Sequence, residues 1–261
     1  MKLLLLSNAT NYGQQYLEHA MPWIKEHFSG LKKILFIPYA KKNHESYTNK
    51  MIDALKELNI EIISAHTRKN PVELLDQVDG IIIGGGNTFR LLNELYKNKL
   101  IEPLANKIKN GTPYMGASAG INVVCPTIKT TNDMPIVYPP SFNALGLVNF
   151  QINPHYLDPQ PDSKHQGETR EVRLAEFHEE NKIPVIGLRE GSALKIEGEN
   201  ITLLGPYSAR IFHKDKEVFE VQPGVIYLKA NTITNNKYLN FFASDKEIIT
   251  VTTSNFSNGL G

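Results

Sequence analysis

Short apolar runs alternate with amphipathic segments along the first half of the chain. Between the runs, apolar residues recur at helical spacing, as in the segment that contains Met51 and Leu55. Strands that are apolar throughout and separated by helices are typical of a parallel sheet covered on both faces. The pattern therefore predicts a parallel α/β core built on five strands: Leu3–Leu6, Ile34–Ile37, Ile60–Ile63, Ile81–Ile83 and Thr112–Met115.

The second half of the chain has a different pattern. Residues 126–145 contain four prolines and predict a long loop. A charged helix is predicted over Thr169–Glu180, followed by a buried strand over Ile183–Leu188. Polar turns then separate short apolar segments, which predicts hairpins. The paired segments are Ala193–Ile196 with Ile201–Leu204, and Ala209–Phe212 with Val218–Val221.

The domain organisation predicted from this pattern is simple. We expect one α/β domain over residues 1–235, with an antiparallel C-terminal edge. Residues 236–261 form a C-terminal extension of unknown role.

Composition narrows the class of protein. The 261 residues include 28 basic and 27 acidic side chains, so no excess positive charge is available to neutralise nucleic-acid phosphates. The single cysteine, Cys125, allows no intramolecular disulfide, which favours the cytoplasm. No segment approaches the ~18 apolar residues that a membrane-spanning helix needs. We therefore expect a cytoplasmic protein that binds neither nucleic acid nor membrane.

A sharp turn is predicted around Ser118. The segment Gly116–Gly120 fits G-x-S-x-G, follows a predicted strand and precedes an apolar stretch suited to open a helix. Its small residues are needed because a strained turn brings the strand and the helix close together. Such a turn presents a serine beside backbone N–H groups that can stabilise an oxyanion. A tight turn with an incidental serine gives the same pattern, so both interpretations stay open at this point.

A glycine loop follows the strand Ile81–Ile83. Gly84, Gly85 and Gly86 let the backbone approach a reacting group closely. In α/β-hydrolases a strand-to-helix loop of this kind supplies the second oxyanion donor. The candidate oxyanion and substrate-binding residues are therefore Gly86, Asn87 and Ala119. The loop matches neither the dinucleotide-binding motif nor the Walker motif, which disfavours phosphate binding.

A nucleophilic serine needs a base within hydrogen-bond reach, and that base needs an orienting acid. Among the eight histidines, His155 is the candidate base. It lies at the end of an apolar run where a loop begins, after Pro154, which fixes the backbone. His19 and His27 lie in or near an amphipathic helix, and we expect both on the surface.

Two acids compete as the group that orients the base. Asp133 lies in a polar turn of the proline-rich loop, and Glu190 follows the strand Ile183–Leu188. The carboxyl ends of parallel strands form the edge where α/β sites lie. Spacing along the sequence does not choose between the two acids.

Together these residues resemble the peptidase E family of serine-dependent α-aspartyl dipeptidases. The likeness covers roughly residues 1–225. Its most specific segments are Leu3–Asn8, Phe36–Ala40, Gly84–Phe89, Ser118–Gly120, Cys125–Val137, Ile152–His155, Gly167–Glu171 and Val185–Leu188.

The resemblance implies a fold, a mechanism and a site. The fold is a three-layer α/β sandwich with a mostly parallel central sheet, of the class I glutamine-amidotransferase-like type, plus antiparallel C-terminal hairpins. Ser118 matches the family's nucleophile and His155 its base. The third residue of the family's triad has been assigned both to the acid that matches Asp133 and to the acid that matches Glu190. The implied activity is hydrolysis of dipeptides with an N-terminal aspartate through an acyl-enzyme, without a metal or a cofactor.

The implied substrate sets requirements for binding. Its side-chain carboxylate favours a guanidinium, for which Arg170 is the first candidate, followed by Lys129 and Arg189. Its ammonium favours an acid, which we expect to be whichever of Asp133 and Glu190 lies outside the triad.

Three alternatives remain. One is a cyanophycinase-like hydrolase of aspartyl-arginine material, and another is an inactive binding module of the same superfamily. The third, a glutamine amidotransferase, would need a cysteine nucleophile, and Cys125 lies outside the serine turn. We expect a monomer or a small homo-oligomer.

Overall fold

The computed structural model describes residues 1–159, 167–229 and 232–234. Six α-helices lie in this part of the chain: α1 (Met21–His27), α2 (His44–Leu55), α3 (Thr88–Lys97), α4 (Ile101–Lys109), α5 (Ala119–Asn122) and α6 (Arg170–Glu180). Short 3₁₀ helices occupy Glu18–Ala20, Lys56–Leu58, Ala65–Thr67 and Pro71–Gln77. The predicted extension, residues 236–261, lies outside the described residues.

Thirteen β-strands lie in the same part of the chain. They are β1 (Lys2–Leu6), β2 (Lys33–Ile37), β3 (Glu61–Ser64), β4 (Gly80–Ile83), β5 (Tyr114–Ala117), β6 (Gln151–Pro154), β7 (Val185–Leu188), β8 (Ala193–Glu197), β9 (Asn200–Leu204), β10 (Ala209–Phe212), β11 (Phe219–Val221), β12 (Gly224–Lys229) and β13 (Thr232–Thr234).

A nine-stranded sheet forms the centre of the molecule, in the order β13-β12-β9-β8-β1-β5-β4-β2-β3. The five strands from β1 to β3 in this order pair in parallel. The other four pair antiparallel, beginning where β8 joins β1. The predicted mostly parallel sheet with an antiparallel C-terminal edge is therefore confirmed.

A second sheet of four strands, in the order β11-β10-β7-β6, was not predicted. The strand β7 pairs in parallel with β6 and antiparallel with β10. The buried strand expected over Ile183–Leu188 thus exists, but it belongs to the second sheet and not to the central sheet. The predicted hairpin of β10 and β11 also belongs here. Apolar content predicts that a strand is buried, and it carries no information about which strand becomes its neighbour.

Side chains of the central strands alternate between two apolar clusters. Leu4 and Leu6 of β1 pack into the cluster that contains residues of α1 and α2. Leu3 and Leu5 point the other way, into the cluster that contains residues of α3, α4 and the second sheet. A strand buried on both faces is the arrangement that a near-continuous apolar run predicts. The second sheet therefore packs on the same face of the central sheet as α3 and α4. The ends of its strands β6 and β7 lie near the end of β1.

No helix among residues 1–159, 167–229 and 232–234 has the length and the apolar character needed to cross a membrane.

Candidate active site

Ser118 occupies a strained turn between β5 and α5. Its φ is 52° and its ψ is −110°, a conformation that residues other than glycine rarely adopt. The turn needs small neighbours, because a Cβ on Gly120 would lie 2.3 Å from the carbonyl oxygen of Ile83. A Cβ on Gly116 would likewise lie 2.6 Å from the carbonyl oxygen of Gly120. The strand–turn–helix context is that of a nucleophile elbow.

The side chain of Ser118 meets His155, and His155 meets Glu190. His155 Nε2 lies 2.8 Å from Ser118 Oγ, and His155 Nδ1 lies 2.5 Å from Glu190 Oε1. With the ring proton on Nδ1, His155 donates to the carboxylate and Nε2 accepts from the serine hydroxyl. The three groups therefore have the connectivity of a nucleophile, a base and an orienting acid.

The register of the two sheets explains how these residues meet. Leu6 of β1 pairs with Ala117 of β5, so Ser7 and Ser118 leave the central sheet side by side. In the second sheet the last residues of β6 and β7 are paired, so His155 and Glu190 follow neighbouring strand ends. The site therefore lies at the carboxyl ends of strands, where α/β sites form.

Ser7 joins the two sheets directly and was not identified from the sequence as a site residue. It is fully buried, its hydroxyl donates to the carbonyl of Leu188 at 2.7 Å, and its Oγ accepts from the amide of His155 at 2.9 Å. His155 itself has a φ of 53°. The hydrogen bond from its amide therefore holds a residue in an uncommon backbone conformation. The sequence signals for Ser7 were its place directly after a buried strand and its inclusion in the family-like segment Leu3–Asn8.

The glycine loop lies directly against the nucleophile. A Cβ on Gly85 would be 3.1 Å from the Cβ of Ser118, and a Cβ on Gly86 would be 2.5 Å from the carbonyl oxygen of Ala40. Gly86 also has a φ of +143°, which other residues rarely adopt. Among the residues that the structure describes, the amides of Gly86 and Ala119 donate no hydrogen bond. They are therefore available to a developing oxyanion.

Asn87 has a structural task in this loop. Its side chain accepts from the amide of Arg90 and so caps α3, while its Nδ2 donates to the carbonyl of Met134. The predicted contact of Asn87 with substrate therefore remains a prediction.

Asp133 makes a different set of contacts from Glu190. Its Oδ2 accepts from the amide of Thr88 at 2.7 Å, from the hydroxyl of Thr88 at 2.6 Å and from the hydroxyl of Thr131 at 3.2 Å. These bonds fix the carboxylate at the start of α3. No hydrogen bond joins Asp133 to His155 among the described residues, so the geometry favours Glu190 as the orienting acid.

A cavity of about 740 Å³ opens in front of Ser118. Ser118, His155, Glu190, Asp133 and Gly86 all line it. The structure thus brings together five of the residues selected from the sequence.

Three lysines that were not predicted to belong to the site give one wall of this cavity a positive charge. Lys41, Lys42 and Lys50, from the β2–α2 loop and α2, also line it. Arg170 begins α6 and is not among the lining residues that the structure describes. Its predicted role in binding the substrate carboxylate remains a prediction.

Two other predictions concern the histidines and the cysteine. His27 is buried rather than on the surface, and its Nε2 lies 3.0 Å from the carbonyl oxygen of Tyr114, because α1 packs against the sheet. Burial lowers the pKa of His27 to about 4. His19 is partly buried, and burial lowers its pKa as well. Cys125 is fully buried, and burial raises the pKa of its thiol to about 12, which is the opposite of what a nucleophilic cysteine needs.

Within residues 1–159, 167–229 and 232–234, no three histidine, cysteine, aspartate or glutamate side chains cluster in a way that could hold a metal ion.

The site and the fold define the class of protein. A serine in a nucleophile elbow, hydrogen-bonded through a histidine to a carboxylate in an α/β fold, is the arrangement of a serine-type hydrolase. Comparison with known families gives the particular group. The family described as peptidase family S51 matches residues 3–204. The chain belongs to this family, and it is a serine-type peptidase.

Similar proteins span nearly the same length. The chain is 50% identical over 224 residues to "Peptidase E" of Streptomyces coelicolor, which covers 86% of this chain and 92% of that protein. It is 46% identical over 224 residues to "Probable alpha-aspartyl dipeptidase" of Drosophila melanogaster, and this match covers 85% of this chain and 93% of that protein.

Solved structures support the predicted fold class. A putative peptidase E from Listeria monocytogenes is 25% identical and superposes with a TM-score of 0.59, covering 78% of this chain and 98% of that chain. A peptidase from an acI-B1 actinobacterium has a TM-score of 0.61 at 20% identity, covering 85% and 94%. The predicted α/β fold, consistent with the class I glutamine-amidotransferase-like type, is confirmed.

Proposed function

We propose that this protein is a dipeptidase that hydrolyses dipeptides with an N-terminal aspartate through a covalent acyl-enzyme. The names of two relatives, peptidase E and probable α-aspartyl dipeptidase, support this substrate class. The observation that carries the proposal is the hydrogen-bonded series Ser118–His155–Glu190 facing a cavity that holds both acidic and basic side chains.

In the first step, Ser118 Oγ attacks the carbonyl carbon of the Asp-Xaa bond while His155 Nε2 accepts the hydroxyl proton. The carbonyl oxygen becomes an oxyanion, which the amides of Gly86 and Ala119 stabilise. Glu190 holds the imidazole in the required tautomer and stabilises the imidazolium that forms.

In the second step, His155 gives its proton to the leaving nitrogen. The carbon–nitrogen bond breaks, the C-terminal residue departs as a free amino acid, and an aspartyl ester remains on Ser118. A water molecule, deprotonated by His155, then attacks this ester. The ester bond to Ser118 breaks, the serine recovers its proton, and free aspartate is released.

Asp133 is our candidate for the substrate ammonium. Its Oδ2 accepts hydrogen bonds from Thr88 and Thr131, and within the described residues its Oδ1 accepts none. A fixed carboxylate in the cavity suits a free α-ammonium, the group that distinguishes a dipeptide's first residue from an internal one. Capture of this ammonium would restrict the enzyme to N-terminal residues.

A panel of dipeptides tests the proposed substrate class. Asp-Leu, Glu-Leu, Asn-Leu, Leu-Leu and β-Asp-Leu would be incubated with the wild-type protein and with Ser118→Ala, and the release of free leucine would be measured. We expect the wild type to cleave Asp-Leu rapidly and Ser118→Ala not to do so. Among the five dipeptides, we expect the wild type to cleave Leu-Leu most slowly. Equal cleavage of all five dipeptides, or cleavage only of an aspartyl-arginine polymer, would contradict the proposal.

The cellular setting is also a proposal. We place the protein in the cytoplasm, as a monomer or a small homo-oligomer without nucleic-acid partners. Cell fractionation tests the compartment, and light scattering coupled to gel filtration tests the assembly. A sedimenting membrane fraction or a large assembly would contradict these expectations.

A further inference from the structure

Arg189 lies between the end of β7 and the orienting acid Glu190, and its guanidinium is fully used within the protein. Nε and Nη2 donate to the two carboxylate oxygens of Asp158 at 2.8 and 2.7 Å. Nη1 and Nη2 donate to the two carboxylate oxygens of Glu220, both at 2.8 Å. Nη1 also donates to the carbonyl oxygen of Ser208 at 2.7 Å. Each N–H of the guanidinium therefore already has an acceptor, and none is left for a substrate.

The two acids bound to Arg189 belong to different parts of the fold. Glu220 lies on β11, inside the second sheet, and also accepts from Arg210 at 3.3 Å. Hydrogen bonds from Arg189 lower the pKa of Glu220 to about 2, so this carboxylate stays ionised at neutral pH. Asp158 lies outside the sheets, in the segment that follows His155, and among the described residues its side chain binds Arg189 alone. The Asp158 pair therefore joins the segment of the acid to the segment of the base.

Tyr156 gives the same connection a second contact. Its ring centre lies 5.6 Å from the guanidinium carbon of Arg189, which is within the range of a cation–π contact. The amide of Tyr156 donates to the carbonyl oxygen of Leu188 at 3.1 Å. A Cβ on Gly187 would lie 2.7 Å from the Tyr156 ring, so the ring packs directly against β7. The segment after His155 is therefore fixed to the end of β7 at two points.

The base and the acid depend on their backbones for their relative position. His155 has a φ of 53°, and a strained conformation of this kind persists only where its surroundings fix it. The Glu190 side chain is half exposed and, among the described residues, hydrogen-bonds to His155 alone. Ser7 holds the amide of His155, and the Arg189–Asp158 pair holds the chain that follows. The 2.5 Å hydrogen bond between base and acid therefore depends on this pair.

We infer that Arg189 is a positioning residue, which holds His155 against Glu190 through its ion pair with Asp158. The inference rests on the proposed dipeptidase function and adds to it a residue that does not line the cavity in front of Ser118. Arg189 directly precedes Glu190 in the chain, so its pair with Asp158 sets the spacing between the two segments. A misplacement of about 1 Å between reacting groups changes a rate by up to about 10²-fold.

Asp158→Asn tests the inference without changing the core, because Asp158 is exposed and lies outside both sheets. Asparagine keeps the shape of the side chain but offers the guanidinium no pair of charged oxygens. We expect kcat for Asp-Leu to fall about 5- to 30-fold, while KM changes less than about twofold because the pair does not bind the substrate. Asp158→Glu keeps the charge and should recover most of the lost kcat.

Glu26→Gln is a matched control in another part of the molecule. Glu26 of α1 binds Lys195 of β8 at 2.7 Å, the same length as the shortest Arg189–Asp158 contact. The two cations are also similarly exposed, at 21% for Lys195 and 17% for Arg189. Neither Glu26 nor Lys195 lines the cavity of the active site. We therefore expect Glu26→Gln to keep the wild-type kcat.

A double-mutant cycle shows whether Asp158 acts through Glu190. Once Glu190→Gln has weakened the hold on the imidazole, an effect transmitted through that hydrogen bond has little left to change. We expect Asp158→Asn to cost at most about twofold in the Glu190→Gln background, against about 5- to 30-fold in the wild type. Effects of the two substitutions that simply multiply would overturn the inference, because Asp158 would then act independently of the acid.

Crystal structures of the wild type and of Asp158→Asn give a readout that needs no substrate. We expect the separation of His155 Nδ1 and Glu190 Oε1 to increase from 2.5 Å to more than about 3.2 Å in the variant. A stabilising role for the pair would leave this hydrogen bond in place while lowering the free energy of unfolding.

Three further results would overturn the inference. One is a kcat of Asp158→Asn within about twofold of the wild type, and another is an equal loss of kcat in Glu26→Gln. The third is an unchanged hydrogen bond between His155 and Glu190 in the crystal structure of Asp158→Asn. Failure of the wild type to cleave Asp-Leu would instead refute the proposed substrate class, and the two crystal structures would still decide the role of Arg189.

Discussion

Replacing Glu190 by glutamine tests how the imidazole is held. Glutamine keeps the size of the side chain and an oxygen that can accept from His155 Nδ1, but it removes the negative charge. The hydrogen bond is 2.5 Å long in the structure, so the carboxylate and the ring charge centres lie about 4 Å apart. At an effective dielectric constant of about 20, their attraction is about 4 kcal/mol, which corresponds to roughly a 10³-fold change in rate.

Exposure reduces this effect. The Glu190 side chain is 51% exposed, so water screens part of the attraction. We therefore expect kcat for Asp-Leu to fall about 10²- to 10³-fold in Glu190→Gln, less than the ~10⁴-fold cost of removing the carboxylate charge from a buried triad. Stopped-time assays of leucine release at saturating substrate measure this change, and circular dichroism checks that the variant is folded.

Asp133→Asn is the matched comparison. In the wild type, the Asp133 carboxylate binds Thr88 and Thr131 rather than His155. We expect this variant to raise KM for free dipeptides and to affect an N-acetylated substrate much less. The account would be refuted if Glu190→Gln stayed within about threefold of the wild type while Asp133→Asn lost kcat on every substrate, since Asp133 would then orient the base.

Three further predictions concern the surroundings of the site. Ser7→Ala should lower the free energy of unfolding by about 1–3 kcal/mol and also reduce kcat, because it removes the acceptor of the His155 amide; a Thr variant that retains the hydroxyl should recover kcat. His27→Gln should flatten the acid side of the stability profile. Burial lowers the folded pKa of His27 to about 4, so the wild type should lose more stability than the variant as pH falls from about 6.5 towards 4, by up to about 3 kcal/mol in urea unfolding. Iodoacetamide should leave Cys125 unlabelled and activity intact in the folded protein; rapid inactivation would revive a cysteine mechanism.

Much of the central sheet could be predicted from sequence because its strands are buried on both faces. A continuous apolar run such as Leu3–Leu6 permits few alternatives, and the helices between the runs set the parallel direction. The serine turn was predictable for a related reason: the close approaches at Gly116 and Gly120 exclude larger residues. Constraints of this kind act between residues close together in the chain, so they can be recognised from the amino-acid sequence.

The choice between Asp133 and Glu190 depended on long-range pairing, which the sequence did not reveal. Glu190 reaches His155 because β7 leaves the central sheet and pairs with β6. No local pattern separates that arrangement from one in which β7 joins the central sheet. The lysines of the cavity were missed for a similar reason. Their position in the cavity wall depends on how the β2–α2 loop lies beside the glycine loop, whereas in the sequence they resemble ordinary surface charges.

The most direct test of the central claim is the activity of Ser118→Ala towards Asp-Leu, with Ser29→Ala as an exposed control outside the cavity. We predict that kcat falls by about 10⁴- to 10⁶-fold in Ser118→Ala, while the control keeps the wild-type rate. A folded Ser118→Ala protein that retains kcat within about tenfold of the wild type would contradict the account.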